Sequence, residues 1–446
     1  MLAARSIGLD FGTTNTVLAR AGGDGAVDAQ TFRHDNVSFA AFRSVLAIWQ
    51  DMEAGGLSTR TEAGPWAIER FIADPLECRF LQSFKTFAAS AAFRHTMIAD
   101  RNYAFEDLLS AFFRKFRDHA GADLAELPPR LILGRPVAFA GHSPDASLAA
   151  QRYDDAFRPF GFKQIHHVYE PVAAAFFYAQ RLAEDATVLV ADFGGGTSDF
   201  SLIHFALTAD GISATPLAQS GVGVAGDTFD YRIIDAVVSP VLGKGTQYKS
   251  WGKVLDVPGH YYSNFARWNQ LSIMKTPKVL TELRQLARDS LARDKLEALI
   301  DFVEADVGYP LYKAVSETKI RLSKAASADL QFSASGRSIS ATIARADFET
   351  WIARDLERIE LAVTAALKRA GVDEARVDKV FLTGGSSFVP AVRRQFVKRF
   401  GPAKIETGDQ LLSIAYGLAL IGESEDIDRW TVQAGDTADM IDADQD

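Results

Sequence analysis

The same short pattern occurs twice in the chain, 182 residues apart. Ile7-Gly8-Leu9-Asp10-Phe11-Gly12-Thr13-Thr14 and Leu189-Val190-Ala191-Asp192-Phe193-Gly194-Gly195-Gly196-Thr197 each carry an apolar run into Asp-Phe-Gly and then into small hydroxyl residues. The offset is too long for a solenoid repeat and suits two similar lobes. After each, a β-prone stretch resumes, Thr16-Val17-Leu18-Ala19 and Phe200-Ser201-Leu202-Ile203-His204-Phe205, so both read as strand, glycine turn, strand. A third turn, Gly384-Gly385-Ser386-Ser387, follows the strand-like Val380-Phe381-Leu382-Thr383.

Around this frame the periodicity predicts helices at Phe105 to Phe116, Ala146 to Pro159 and Pro171 to Leu182, and a helix bearing Phe348, Ile352, Leu356, Ile359 and Val363 that stops at Gly371. A last helical stripe, Val389, Val392, Phe396 and Phe400, ends at Gly401. Phe112-Phe113 and Phe176-Phe177 read as core; Trp251, Tyr261, Tyr262 and Trp268 read as a partly buried aromatic cluster, or a binding face beside Lys249, Lys253 and Arg267. The segment from Glu423 to Asp446, with nine acids and one Arg, reads as a disordered tail too short for a domain.

Composition excludes several classes. Apolar residues at 48% and charged residues at 24% describe a folded globular chain. Lys and Arg number 48 against 57 Asp and Glu, so no basic footprint supports nucleic acid or anionic membrane as a partner. The single Cys78 allows no internal disulfide and reads as a small buried hydrophobe. No run reaches the roughly 20 apolar residues of a membrane span, the N-terminus lacks the apolar segment of a signal peptide, and a cytoplasmic protein is expected.

Glycine turns at strand ends expose backbone N–H groups to which phosphate oxygens can come close. Asp10 and Asp192 stand at two such ends, where a hydrated Mg²⁺ could be held by one or two carboxylates. No G-x-x-x-x-G-K-[ST] is present, and Gly221-Val222-Gly223-Val224-Ala225-Gly226 matches the dinucleotide fingerprint without an acid about twenty residues on to take a ribose.

Taken together, Ile7 to Asn15, Glu170-Pro171-Val172-Ala173-Ala174-Ala175, Asp192 to Asp199, Gly226-Asp227-Thr228-Phe229-Asp230 and Leu382-Thr383-Gly384-Gly385-Ser386 resemble the nucleotide-binding domain of DnaK-type heat-shock-protein-70 chaperones, in that family's order up to about Gly422. The short length is most similar to the YegD-like subgroup. The resemblance implies an α/β, actin-like ATPase fold: two lobes, each a mixed β-sheet flanked by helices, as duplicated ribonuclease-H-like units. It implies a first lobe over residues 1–184, rejoined by 402–422, and a second over 185–401, with a mainly helical subdomain inserted at about 230–310. It also implies ATP or ADP with Mg²⁺ as cofactors and slow ATP hydrolysis. On it, Asp10 and Asp192 would hold the metal, Thr13 and Thr14 would cradle the β-phosphate, and Gly12 and Asn15 would bind the nucleotide beside them. Gly194, Gly195, Gly196 and Thr197 would close on the γ-phosphate. Glu170 would orient water and Lys85 would position the nucleophile. Gly226, Asp227, Lys319, Gly384, Gly385 and Ser386 would complete the nucleotide site, and Pro136 with Arg152 would relay its state. An unfolded client or a co-chaperone is the implied partner.

The sequence departs from the family's pattern on the adenosine side, where Ser316 stands in place of a Glu with Glu317 next to it, Phe388 in place of an Arg, and Leu411 in place of an Asp. No segment matches the family's peptide-binding β-sandwich. Two other readings use the same scaffold: a sugar or metabolite kinase with an acceptor pocket, and an actin-like scaffold or filament former.

Overall fold

In the computed structural model the repeated pattern becomes a repeated sheet. The structure describes residues 6–22, 25–53, 56–74, 77–137, 139, 143–208, 211–267, 270–305, 307–407 and 412–432. Strands β1 (Ser6–Phe11), β2 (Asn15–Ala21), β3 (Val27–Ala29), β4 (Arg130–Arg135) and β5 (Gln164–Tyr169) lie in the order β5-β4-β1-β2-β3. Strands β6 (Ala186–Phe193), β7 (Ser198–Thr208), β8 (Gly211–Val222), β9 (Lys379–Thr383) and β10 (Ile405–Thr407) repeat that order as β10-β9-β6-β7-β8. In both sheets the central strand pairs antiparallel with its hairpin partner and parallel with the later strand. The register repeats as well. Asp10 lies opposite Val17 and Asp192 opposite Asp199, each pair offset by the same 182 residues. Central strands covered on both faces need nearly unbroken apolar runs, and β1 and β6 have them.

The helix Ser413–Glu423 lies against β1, β2 and β4 and against the helix Glu170–Ala179. Its small residues allow this. A Cβ on Gly8 would lie 2.4 Å from the Ala419 nitrogen, and one on Gly417 would lie 1.7 Å from the Ala173 carbonyl oxygen. Both obstacles are backbone, so neither can swing aside. Gly417→Ala should therefore destabilise the fold by about 3 kcal/mol, measured by urea unfolding. An unchanged midpoint would show that the two helices part without cost.

Phenylalanines form much of the first core: Phe11, Phe84, Phe105, Phe112, Phe113, Phe116 and Phe157 are all buried. Cys78 is buried too. Beyond the last helix, Trp430 is buried with its ring 4.7 Å from that of Phe176, and the Val432 N–H donates to the His167 carbonyl. The acidic segment thus departs from the expected disorder as far as residue 432, because one large apolar side chain anchors it; residues 433–446 lie outside the described residues. Among the described residues no helix is long and apolar enough to cross a membrane.

The chain divides into two compact units, one of residues 1–226, 357–387 and 392–446, the other of 227–356 and 388–391. Both large sheets belong to the first. The second holds helices from Asp227 to Lys324 and two hairpins, Gln247–Ser250 with Lys253–Asp256 and Ser327–Ala334 with Arg337–Ala344. Its aromatic residues do not cluster as expected. Tyr261 and Tyr262 are buried, whereas Trp251 is fully exposed at a hairpin tip, where a φ of 48° turns it outward. Trp268 lies outside the described residues.

Candidate functional site

The two Asp-Phe-Gly turns close by the same hydrogen bond. Gly12 N–H donates to the Asn15 carbonyl at 3.0 Å and Gly194 N–H donates to the Thr197 carbonyl at 2.9 Å. The turns also meet. A Cβ on Gly195 would lie 2.8 Å from Thr14 Oγ1 and 3.2 Å from Thr13 Cβ, so a side chain there would press on both threonines where the second turn faces the first. The Gly194 carbonyl accepts from the Gly226 N–H at 3.3 Å and from the Ser386 hydroxyl at 3.4 Å. Gly384, at φ 79°, packs so tightly that a Cβ would come within 2.3 Å of the Phe193 carbonyl and 2.8 Å of Asp192 Oδ1. The sequence motifs of residues 10–15, 192–199 and 384–386 are thereby brought together in the first unit, with Gly226 at their edge.

Charge converges on the same place. Ser83, at φ 48°, turns the chain into a short 3₁₀ helix, Phe84–Phe87, which carries Lys85. Glu170 opens the helix Glu170–Ala179, whose N-terminal N–H groups favour an acid in the first turn. Lys85 Nζ donates to Glu170 Oε1 at 2.6 Å, with both side chains buried. Burial, followed by repulsion from Glu170, pushes the half-buried Asp10 carboxyl up to about 7, against a smaller opposing pull from Lys85. Asp192 is also held well above the usual carboxylate range, first by burial and then by Glu170, Asp10 and Asp199. For Lys85, burial opposes the charge but Glu170 more than restores it, so the ammonium persists. Several crowded carboxylates thus face one lysine, leaving an excess of buried hard-oxygen donors. That donor set suits a divalent cation such as Mg²⁺, which takes oxygen ligands and supplies charge neutralisation.

Three residues given little or no role by sequence complete the surroundings. Asp199 is buried beside Asp192 across the β6–β7 hairpin. Arg152 Nη1 donates to the carbonyls of Phe87 and Ala88 at 2.9 Å and of Ser90 at 3.1 Å, and Nη2 donates to that of Phe93. It therefore clamps the segment that follows Lys85, a role its expected link to Pro136 did not suggest. Tyr153, next to it on the helix Ala146–Phe157, is fully buried, and desolvation pushes its hydroxyl up to about 12, so it is a neutral phenol. No motif marked Tyr153; only its place between Arg152 and the apolar stripe of that helix could have drawn notice.

In the second unit, Lys319 Nζ pairs with Asp230 Oδ1 at 2.9 Å. Burial raises the hydroxyl pKa of Tyr312, and Asp227 and Asp230 raise it further, so these residues share one polar cluster. The pairing of Lys319 with the last residue of the Gly226-to-Asp230 motif was not anticipated. Ser316 is half-buried, Glu317 is exposed and Phe388 is 54% exposed; Leu411 lies outside the described residues.

A family model described as Hsp70 protein matches residues 84–248 and 294–427, well over half of the chain. The chain belongs to the Hsp70 family. With membership comes the actin-like ATPase fold, which the two matching mixed sheets embody. The chain is similar, at 24% identity over 94% of its length, to the chaperone protein DnaK of Deinococcus proteolyticus, and at 24% over 95% to the DnaK of Gracilaria tenuistipitata var. liui. It is 25% identical over 76% of its length to the stromal 70 kDa heat shock-related protein of Spinacia oleracea chloroplasts. It spans 59%, 62% and 46% of those three Hsp70 relatives, respectively.

Proposed function

We propose that the protein is a Mg²⁺-dependent, ATP-binding Hsp70-family protein that hydrolyses ATP slowly and acts as a chaperone-like switch in the cytoplasm. The observation that carries this reading is the convergence of Asp10, Asp192, Glu170 and Lys85 where the two duplicated glycine turns meet. Members of the family bind ATP or ADP with Mg²⁺, and the donor chemistry at this place fits both.

In this reading Asp10 and Asp192 hold the metal, which when bound neutralises phosphate charge. The N–H groups and hydroxyls of Gly12 to Asn15 and of Gly194 to Thr197 take phosphate oxygens, with Gly226 and Gly384 to Ser386 bordering them. Glu170 orients the attacking water, and Lys85, fixed by its bond to Glu170, directs an N–H toward it. Asp227 and Lys319 serve the nucleoside end. Phosphoryl transfer to water depends mainly on such positioning and charge neutralisation, so no covalent intermediate on the protein is needed. An unfolded client or a co-chaperone is the partner this reading gives the chain.

Thermal melting tests the binding, because a ligand that binds only the folded state raises the midpoint. ATP with Mg²⁺ should raise it more than ATP with a chelator, and equal shifts would remove the metal role. ADP formation should need no sugar acceptor; an acceptor-dependent burst with a phosphorylated product would install a kinase. Thr197→Ala should slow single-turnover hydrolysis about tenfold or more while ATP affinity stays within about threefold, the pattern of a contact made in the transition state. Asp192→Asn should weaken Mg²⁺-dependent binding as well. Wild-type hydrolysis by Thr197→Ala would displace the γ-phosphate from the second turn.

A further inference from the structure

Tyr153 carries more chemistry than its packing needs. Its ring is fixed edge-on against Phe105, at 5.7 Å between centroids, and against Phe11, at 6.4 Å, with Phe139 on another side. Phenylalanine would fill that space, as it does at Phe84, Phe105 and Phe112 in the same core. Yet a hydroxyl is present, fully buried and without a hydrogen-bond partner among the described residues. An unsatisfied buried hydroxyl is destabilising, while a phenyl ring of the same shape is not. Packing alone would therefore favour phenylalanine.

The hydroxyl also has charged neighbours. It lies close enough to Lys85, Glu170, Arg135 and Asp10 to feel the charge of each. The Arg135 guanidinium lies over the Tyr169 and Phe139 rings, and its Nε likewise has no partner among the described residues. Lys85 presents three N–H groups, and one is used on Glu170. Arg152, one residue earlier on the same helix, holds the backbone that follows Lys85.

We propose that Tyr153 is a positioning residue of the nucleotide site, whose hydroxyl accepts a second N–H of Lys85 once a γ-phosphate group is bound. That contact fixes the direction of the remaining N–H, and the phenol proton is then free to meet an oxygen of the phosphate or of the attacking water. This inference rests on the nucleotide reading above and adds to it a residue that acts through Lys85.

The test is Tyr153→Phe, which deletes one oxygen atom. Melting midpoints of wild type and variant would be compared without nucleotide, with Mg²⁺ and ADP, and with Mg²⁺, ADP and beryllium fluoride, a γ-phosphate mimic. The variant should match or exceed the wild-type midpoint without nucleotide, keep the rise given by ADP, and lose at least about half of the further rise given by the mimic. Its single-turnover hydrolysis should fall about tenfold, the factor one hydrogen bond of ordinary strength controls, with ATP affinity within about twofold. A variant that keeps both the further rise and the wild-type rate overturns the proposal, as does one that melts lower without nucleotide, since its hydroxyl would then have a partner already. A wild type that gains nothing from any nucleotide fails earlier, in its own arm, and takes the nucleotide reading with it.

Discussion

Replacing Lys85 by methionine should destabilise the protein by about 3–5 kcal/mol near neutral pH, the range for removing one partner of a buried ion pair. The Nζ–Oε1 distance of 2.6 Å and the burial of both groups leave Glu170 with little water to replace the lost ammonium. Asp10 and Asp192 add to the cost, because Lys85 lowers the pKa of each. Two features of the loss are characteristic of this origin. It should shrink at acid pH as the stranded carboxylates take up protons, and Lys85→Met/Glu170→Gln should recover most of it. Urea titrations of both variants at pH 5 and pH 8 decide the matter. A single variant within about 1 kcal/mol of wild type would mean that water reaches the pair.

The duplicated hairpins were legible because strand, turn and strand are local and glycine marks the turn; the offset of 182 residues then carried through to register. The helices near Phe105 and Ala146 were legible from apolar spacing, and the structure places them at Phe105–Ala120 and Ala146–Phe157. What faces what was much less so. That Arg152 would hold the carbonyls of residues 87–93, or that Lys319 would meet Asp230, depends on how distant helices dock, and no periodicity in either segment records it. Trp251 misled for a similar reason. An aromatic residue in a patterned segment is usually packed, but its place at a tight turn with positive φ prevents it from turning inward. Lys85 was found through resemblance to family motifs, and its ion pair with Glu170, 85 positions away, became visible only in three dimensions.

Asp10→Asn should have opposite effects on stability and on binding. The Asp10 carboxyl rises from an ordinary 3.8 to about 7 in the folded chain, so the folded state holds this proton more tightly than the unfolded state. The stability contributed by that proton is fully present below about pH 3.8, falls as pH rises and is lost once pH passes about 7. Above that value the metal-free protein keeps a crowded carboxylate beside Glu170 and Asp192, and asparagine removes the charge at nearly constant shape. The variant should accordingly be more stable than wild type by about 2 kcal/mol at pH 8 without metal, and should lose that advantage at pH 5. The same change should abolish most of the extra melting shift that Mg²⁺ gives to ATP, because a hard-oxygen ligand is gone. Denaturant unfolding at the two pH values, with and without Mg²⁺ and ATP, reads both effects. A variant less stable than wild type at pH 8 would show that the Asp10 charge is already compensated in the folded protein.

The two halves of the fold share strand order, register and the turn-closing hydrogen bond, yet the hairpin residues facing the two aspartates differ in charge: Val17 faces Asp10 where Asp199 faces Asp192. The first hairpin therefore brings one carboxylate to the meeting point and the second brings two. A symmetric scaffold with symmetric charges would present the same potential to either end of a rod-like polyanion. This imbalance breaks that equivalence and gives the site a polarity, with the more negative side on the later hairpin. A polyanion entering such a field would meet unequal charge on its two sides, and a valine-for-aspartate difference between matched hairpin positions contributes to that inequality.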